Sequence, residues 1–213
     1  MNDKVTKITG QPEKIPINFQ IGDRSIDGVV VRPLSFQSFV DCVTDANSAQ
    51  EPKTFEARLR RSRMVRQVTY YVNGSTTPVS VEEMLRLPIP AARTIIARLD
   101  DNVENVKTGK VIREGDGIDR AITFELGTPI PMGQGKEPIR ELEFHAETYG
   151  DIEDVLAADN AISQTAVLIA TVASPLGSSL TRLPSWALNQ ISVADGVAIS
   201  REVLPHFLGS VDE

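Results

Sequence analysis

Hydrophobic and polar residues alternate near the start of the chain, and this pattern predicts two strands joined by a tight turn. Residues 15–21 alternate with a period of two, which is typical of a half-buried strand. Gly22-Asp23-Arg24 predicts the turn, and residues 26–32 predict the return strand. Pro33 ends that strand, and Ser35 is placed to cap a helix with one apolar side. The chain therefore opens with a hairpin followed by a helix.

Helical periodicity continues through the rest of the first half. Residues 55–71 predict a long helix, which Asn73-Gly74 would end because both residues accept the left-handed cap conformation. Ser80 is placed to cap a short helix that reaches Leu85, and residues 91–99 predict a further helix.

The second half shows the same succession of patterns. Residues 122–126 alternate like a strand, residues 127–138 read as a long loop, and residues 139–145 predict the return strand. Thr148 and Asp151 have the spacing of a capping box at the start of the next helix, which could run on through residue 172. Ser185 would cap a short helix over residues 186–191, and residues 193–204 predict the terminal helix.

Two blocks of the halves align without gaps and preserve their apolar positions. Residues 26–39 match residues 139–152, and apolar positions of residues 84–99 match those of residues 188–203. We therefore predict an α+β fold made of a tandem repeat, each copy a hairpin followed by three or four helices. The expected units are residues 1–105 and 120–213, joined by a linker at residues 106–119. Phe36 and Tyr149 would occupy equivalent positions and pack against their own hairpins; chance similarity of short amphipathic segments is the alternative.

Composition narrows the class of protein. With 213 residues, 41% hydrophobic and 24% charged, the chain can bury a real core. No apolar run is long enough to span a membrane, and the first residues lack the apolar stretch of a secretory signal, so a cytosolic protein is expected. Residues 1–100 carry 14 Lys+Arg and 11 Asp+Glu, or +3, whereas the remaining residues carry 8 and 18, or −10. This asymmetry bears on partners and would permit self-association, although a solvated surface is the simpler interpretation.

Candidate catalytic chemistry is sparse. His145 falls at an exposed position of the predicted return strand, His206 lies at a helix end, and Cys42 is expected to be a small buried hydrophobe. Asp151, Glu153 and Asp154 crowd a helix start, which the helix dipole explains without a metal. The glycine run at positions 109, 115 and 117 lacks the spacing of a phosphate loop. We therefore predict no enzyme, no metal site and no cofactor.

The sharpest charged feature is a run of arginines within the predicted helix of residues 55–71. Such a helix attracts nucleic acid, but the chain is acidic overall and no aromatic residues interleave the arginines for base stacking. Arginine also pairs with carboxylates at protein interfaces. We expect this helix to bind an acidic protein surface, which could be the chain's own second half. The candidate partner-binding residues are Arg58, Arg60, Arg61, Arg63 and Arg66.

The string VVVRPLSFQSF, residues 29–39, follows an alternating strand and precedes helices that end near a short helix, prolines and a last helix. In this it resembles the tail assembly chaperones of contractile-tailed bacteriophages, whose hairpin ends in Arg-Pro or Arg-x-Pro, then Thr or Ser, then an amphipathic helix. The second copy is similar through residues 142–160 and 185–207, so the resemblance covers residues 15–99 and 120–208. Two departures stand out: family members commonly have one such unit, and the second copy has His145-Ala146 in place of Arg-Pro.

The resemblance implies a non-enzymatic protein that binds other phage tail proteins, such as tape-measure, tail-tube or baseplate subunits. It would act in the host cytoplasm during assembly as a chaperone, or stay in the virion as a baseplate or hub subunit. A nucleic-acid-binding regulator that uses the arginine helix is the alternative.

Overall fold

The computed structural model describes residues 14–48, 53–104, 106–115, 121–133 and 135–208. Residues 1–13, whose polar sequence predicts a loose segment, lie outside these ranges. The chain groups into two compact units, Met1–Pro33 with Pro52–Asn102, and Leu34–Glu51 with Val103–Glu213. Both units combine helices with antiparallel strands, which confirms the α+β prediction.

The strands and helices are numbered here in chain order. The strands are β1 (Lys14–Ile15), β2 (Phe19–Ile21), β3 (Arg24–Ile26), β4 (Gly28–Val31), β5 (Val68–Val72), β6 (Ser75–Pro78), β7 (Lys110–Glu114), β8 (Ile122–Ile130), β9 (Ile139–Phe144) and β10 (Ala173–Pro175). The helices are α1 (Phe36–Ser48), α2 (Phe55–Gln67), α3 (Val81–Leu85), α4 (Ile89–Glu104), α5 (Tyr149–Ala157), α6 (Ala161–Val172), α7 (Ser185–Leu188), α8 (Val193–Glu202) and α9 (Leu204–Leu208).

The first unit is built on an antiparallel sheet in the order β1-β4-β5-β6. The predicted first strand is divided into β1 and β2, since Pro16 has no N–H with which to continue a ladder. β2 and β3 form a separate hairpin whose turn contains Gly22 at φ +57, a left-handed conformation that suits glycine.

The predicted helix over residues 55–71 is wrong at its end. Helix α2 stops at Gln67, and β5 begins at the next residue and pairs with both β4 and β6. The segment VTYYV consists of β-branched and aromatic residues, which favour a strand. Asn73 and Gly74, at φ 49 and +81, make the turn of the β5–β6 hairpin and do not cap a helix.

An apolar cluster joins the sheet of the first unit to its helices. Ile26, Val29 and Tyr70 from the strands are buried together with Ile95 and Leu99 from α4. Ser80 caps α3, as predicted, by a reciprocal capping box with Glu83.

The second unit is built on an antiparallel sheet in the order β10-β9-β8-β7. Strand β7 lies inside the predicted linker of residues 106–119, so this part of the linker prediction is wrong; residues 116–119 lie outside the described residues. β7 pairs with β8, which itself runs on to Ile130 into the predicted loop. α5 and α6 are separate helices because Asn160 caps α6 by accepting from the Ser163 N–H. The predicted terminal helix is likewise divided into α8 and α9.

The two halves of the chain share most of their order of elements. In the first half, β4 is followed by α1, α2, β5, β6, α3 and α4, and in the second half β9 is followed by α5, α6, β10, α7, α8 and α9, so that β6 and α9 have no counterpart. Each second helix runs directly into a strand, and the pairing is equivalent: Val31 lies opposite Val68, and Phe144 lies opposite Ala173. Val31 and Phe144 are also partners in the sequence alignment of the halves.

The predicted first unit, residues 1–105, is wrong at helix α1, because residues 34–51 belong to the second unit. Phe36 and Val40 are part of the apolar cluster of that unit, and the Phe36 N–H donates to the Ile191 carbonyl over 2.8 Å. An amphipathic helix has to bury its apolar side somewhere, and α1 does so against α6 and α8.

Candidate protein-binding surfaces

The candidate catalytic residues are two histidines, one after a strand and one in a helix, and a cysteine in a helix. His145 is exposed just after β9, as predicted, and the His206 Nε2 lies 3.9 Å from the Glu114 Oε1. Cys42 is buried in α1, which agrees with its predicted role as a small hydrophobe. Among the described residues no three His, Cys, Asp or Glu side chains are grouped as a metal site requires.

Asp151 is a helix cap. Its carboxylate accepts from the backbone N–H groups of Thr148 and Glu147 and from the Thr148 hydroxyl. Hydrogen bonds from Thr148 hold the pKa of Asp151 below its ordinary value. The predicted capping box is confirmed.

The glycine run does not form a phosphate loop in its described part; Gly117 lies outside the described residues. At Gly109 a Cβ would lie 2.3 Å from the Glu125 carbonyl oxygen, so glycine is required there by close packing against β8. The Gly109 N–H donates over 2.8 Å to the Oδ1 of Asp195, as does the N–H of Gly127. The sequence did not single out Asp195, whose carboxylate is completely buried.

The arginine helix divides into two sets of side chains. Arg63 is directed inward: it donates to the Leu99 carbonyl over 3.1 Å and lies near the Asp100 carboxylate. Arg58 donates to the Lys53 carbonyl beside the start of the helix, and Arg61 is half-buried. Arg60 and Arg66 are exposed. Of the five predicted residues, Arg60 and Arg66 are therefore the exposed ones, and Arg63 serves the packing of the first unit.

Helix α2 has fewer buried residues than its counterpart in the second unit. The shared helix-to-strand junctions match α2 with α6, and Arg60 and Arg63 then correspond to the fully buried Thr165 and Leu168. In the second unit α5 and α1 pack on α6. Helix α1, which follows β4 as α5 follows β9, belongs to the second unit. Arg60 and Arg63 therefore stand where the matched positions of α6 hold one polar and one apolar buried side chain.

A second accessible surface lies where α3 meets α4. Val81, Leu85 and Ile89 are exposed to 43, 59 and 69%. Val81 and Leu85 are one helical turn apart in α3, and Ile89 begins α4. Exposed large aliphatic side chains so close along the chain indicate an interaction site more strongly than scattered ones do. We call these three residues the α3–α4 corner.

The corresponding corner of the second unit is occupied by α1. Ser35 forms an antiparallel bridge with Ser192, and the Phe36 ring lies against Gly196 so closely that a Cβ there would be 2.0 Å from Phe36 Cδ2. The expectation that Phe36 packs against its own hairpin is wrong, since the buried ring belongs to the apolar cluster of the second unit. The same expectation fails for Tyr149, which is 66% exposed, although both residues do begin equivalent helices.

Comparison with protein-family models, with curated proteins and with solved structures finds no match to this chain. Within the described residues no helix has the length and apolar character needed to cross a membrane.

Proposed function

We propose that this chain is a non-enzymatic protein of bacteriophage tail morphogenesis, a tail assembly chaperone or a baseplate subunit derived from one, which binds other tail proteins. The observation that carries the proposal is the outer face of α2. Arg60 and Arg66 are exposed there, and Arg63 and Met64 hold the opposite side against the first unit. Arginine pairs well with carboxylates at protein interfaces, so the partner surface is expected to be locally acidic.

The motif behind the family resemblance supports the same proposal. Arg32 joins β4 to the end of α2: its N–H donates to the Gln67 carbonyl, and its own carbonyl accepts from the Gln67 side-chain amide. Ser35 then caps α1 through the Ser38 N–H. The Arg-Pro-x-Ser string thus follows a strand and begins an amphipathic helix, which is the order of elements that the resemblance implies.

A nucleic-acid-binding regulator that uses the same helix is the second candidate. Exposed arginines on one helix face would contact phosphates, and binding would weaken steeply as salt rises. The protein-binding proposal is preferred because no aromatic side chain lies among the arginines of α2 after Phe55 to stack on bases.

Both candidates are tested by capture from phage-infected cells. The tagged wild-type protein is compared with the double variant Arg60→Glu/Arg66→Glu and with the control Arg140→Glu/Arg201→Glu, which makes the same charge change at exposed positions of the second unit. We expect mass spectrometry to find tape-measure, tail-tube or baseplate proteins with the wild type and the control, and much less with the α2 variant. Capture of nucleic acid without tail proteins would favour the second candidate.

Mass spectrometry of purified virions separates the two forms of the proposal. A transient chaperone is absent from the particle, whereas a baseplate subunit persists in it.

A further inference from the structure

The α3–α4 corner has a counterpart that shows what kind of segment such a corner accepts. Subtracting 104 from the residues that receive α1 in the second unit, Ile191, Ser192 and Gly196, gives Leu87, Pro88 and Ala92. These three positions lie within the exposed corner of Leu85 and Ile89. In the second unit the segment bound there is the start of an amphipathic helix, with an aromatic residue directly after a Ser cap.

Helix α5 carries the same elements with its docking side exposed. Thr148 is its cap, Tyr149 its first residue, and Tyr149, Glu153 and Leu156 share one face at spacings of four and three. Tyr149 is 66% and Leu156 41% exposed, whereas Val155 on the other side is fully buried in its own unit.

When the alignment of the halves is continued past residues 39 and 152 without a gap, it equates this face with the docked face of α1. Tyr149, Glu153 and Leu156 correspond to Phe36, Val40 and Val43, which are 2, 8 and 7% exposed. The first copy of the helix therefore has its apolar side buried, and the second copy has the same side accessible.

We propose that the exposed face of α5 in one copy of the protein binds the α3–α4 corner of a second copy, repeating between chains the contact that α1 makes within the second unit. Tyr149 packs against Leu85 and Ile89, and its N–H is placed to donate to the Leu87 carbonyl as that of Phe36 does to Ile191. The contact is heterologous, since two different surfaces meet, so the copies join head to tail.

Charge agrees with this pairing. Glu153 interrupts the apolar face of α5 and Asp154 follows it, whereas exposed Arg86 and Arg93 flank the corner. Two acidic residues also lie at the corner: Glu83 is paired with Arg24, and Glu82 is exposed, so the arginines outnumber the unpaired carboxylate there. The excess positive charge of the first half of the chain and the negative charge of the second favour the same orientation. One difference remains: Ala92 stands where the second unit has Gly196, so its methyl group keeps the Tyr149 ring farther out, over Leu85 and Ile89.

The proposal is independent of the identity of any tail-protein partner, because it uses neither Arg60 nor Arg66. Its test is the mass of the purified protein as a function of concentration, measured by sedimentation. The wild-type chain of 23.3 kDa is expected to form species larger than a monomer as its concentration rises. Tyr149→Ser/Leu156→Ser and Leu85→Ser/Ile89→Ser are each expected to remain monomeric, and both should fold because the changed side chains are exposed.

Mixing the two variants tests whether the copies join head to tail. Tyr149→Ser/Leu156→Ser keeps an intact α3–α4 corner, and Leu85→Ser/Ile89→Ser keeps an intact α5. The mixture should therefore form a one-to-one dimer and no larger species. The proposal is overturned by a wild type that stays monomeric up to its solubility limit, by assembly of either variant alone, or by a mixture that contains only monomers. Arg60→Glu/Arg66→Glu should assemble like the wild type, so loss of tail-protein capture and loss of self-association are separable.

Discussion

At the residue scale, Tyr70 combines complete burial with an unsatisfied polar group. Its ring meets Phe19 edge-to-face at 5.7 Å, and its hydroxyl has no hydrogen-bond partner among the described residues. Burial raises the pKa of Tyr70 to about 12, although the positive charge of Arg24 opposes this shift. The folded state therefore favours the neutral phenol more strongly than the unfolded chain does.

The raised pKa of Tyr70 predicts that the protein loses stability at alkaline pH. The contribution of Tyr70 is fully present below pH 10 and is lost as pH rises toward 12, because the unfolded chain releases the proton first. A difference of this size corresponds to about 2–3 kcal/mol. Tyr70→Phe should weaken this pH dependence in urea unfolding curves and leave stability at pH 7 unchanged or raised, since it removes an unpaired buried hydroxyl. An unchanged alkaline slope in the variant would contradict the assignment.

Asp195 differs from Tyr70, because both oxygens of its buried carboxylate accept hydrogen bonds. It accepts from the N–H groups of Gly109, Gly127 and Thr128 and from the Ser192 hydroxyl, at 2.8 to 3.2 Å. These bonds tie the start of α8 to the strands of its own unit.

Asp195→Asn is expected to destabilise the second unit by about 3 kcal/mol, because an amide presents a donor where the surrounding groups also donate. Glu202→Gln is the control: it alters an exposed acceptor of the Val111 N–H and should cost less than about 0.5 kcal/mol. Equal melting temperatures for Asp195→Asn and the wild type would show that the carboxylate is not needed for stability.

At the scale of elements, the contact of α1 with α8 depends on one pair of residues of complementary size. Phe36 fills the space that the missing side chain of Gly196 leaves. We expect Phe36→Ala to cost about 3–5 kcal/mol and Gly196→Ala about 1–3 kcal/mol, through lost packing and overpacking respectively.

The two changes should not be additive, since the smaller side chain at position 36 makes room for the new methyl group. Chemical denaturation of the two single variants and the double variant measures this coupling. Additive losses would mean that the ring and the glycine do not meet. Tyr149→Ala serves as the control for aromatic truncation and should change stability by less than about 0.5 kcal/mol, because Tyr149 is exposed.

The elements that could be predicted from the sequence are those with local signals. The cap at Ser80, the capping box at Thr148 and the fold class followed from side-chain chemistry and periodicity. The strand after Gln67 was missed because its apolar residues also fit the preceding helical period, although the following Asn-Gly pair is a hairpin signal.

The placement of α1 could not be predicted. An apolar helix face shows that a helix is buried but does not show against which unit, because that depends on long-range packing. For the same reason, the sequence identified the arginines of α2 but could not show that Arg63 is directed inward, toward α4.

At the scale of the whole molecule, the two units differ in the side chains that they leave exposed. The first presents arginines on α2 and aliphatic side chains at the α3–α4 corner, and the second presents the start of α5. Opposite net charges of the two halves suit contacts between chains as well as contacts with other proteins.

The central claim is that the outer face of α2 binds a protein. Its most direct test is the affinity of the captured tail protein, purified and titrated at several salt concentrations against the wild type, Arg60→Glu/Arg66→Glu and the control Arg140→Glu/Arg201→Glu. We predict that the α2 variant loses affinity by at least about tenfold, as removal of interfacial arginines does, while the control matches the wild type. Unchanged affinity of the α2 variant for the tail protein, together with lost binding to DNA or RNA, would contradict the claim and assign the face to nucleic acid.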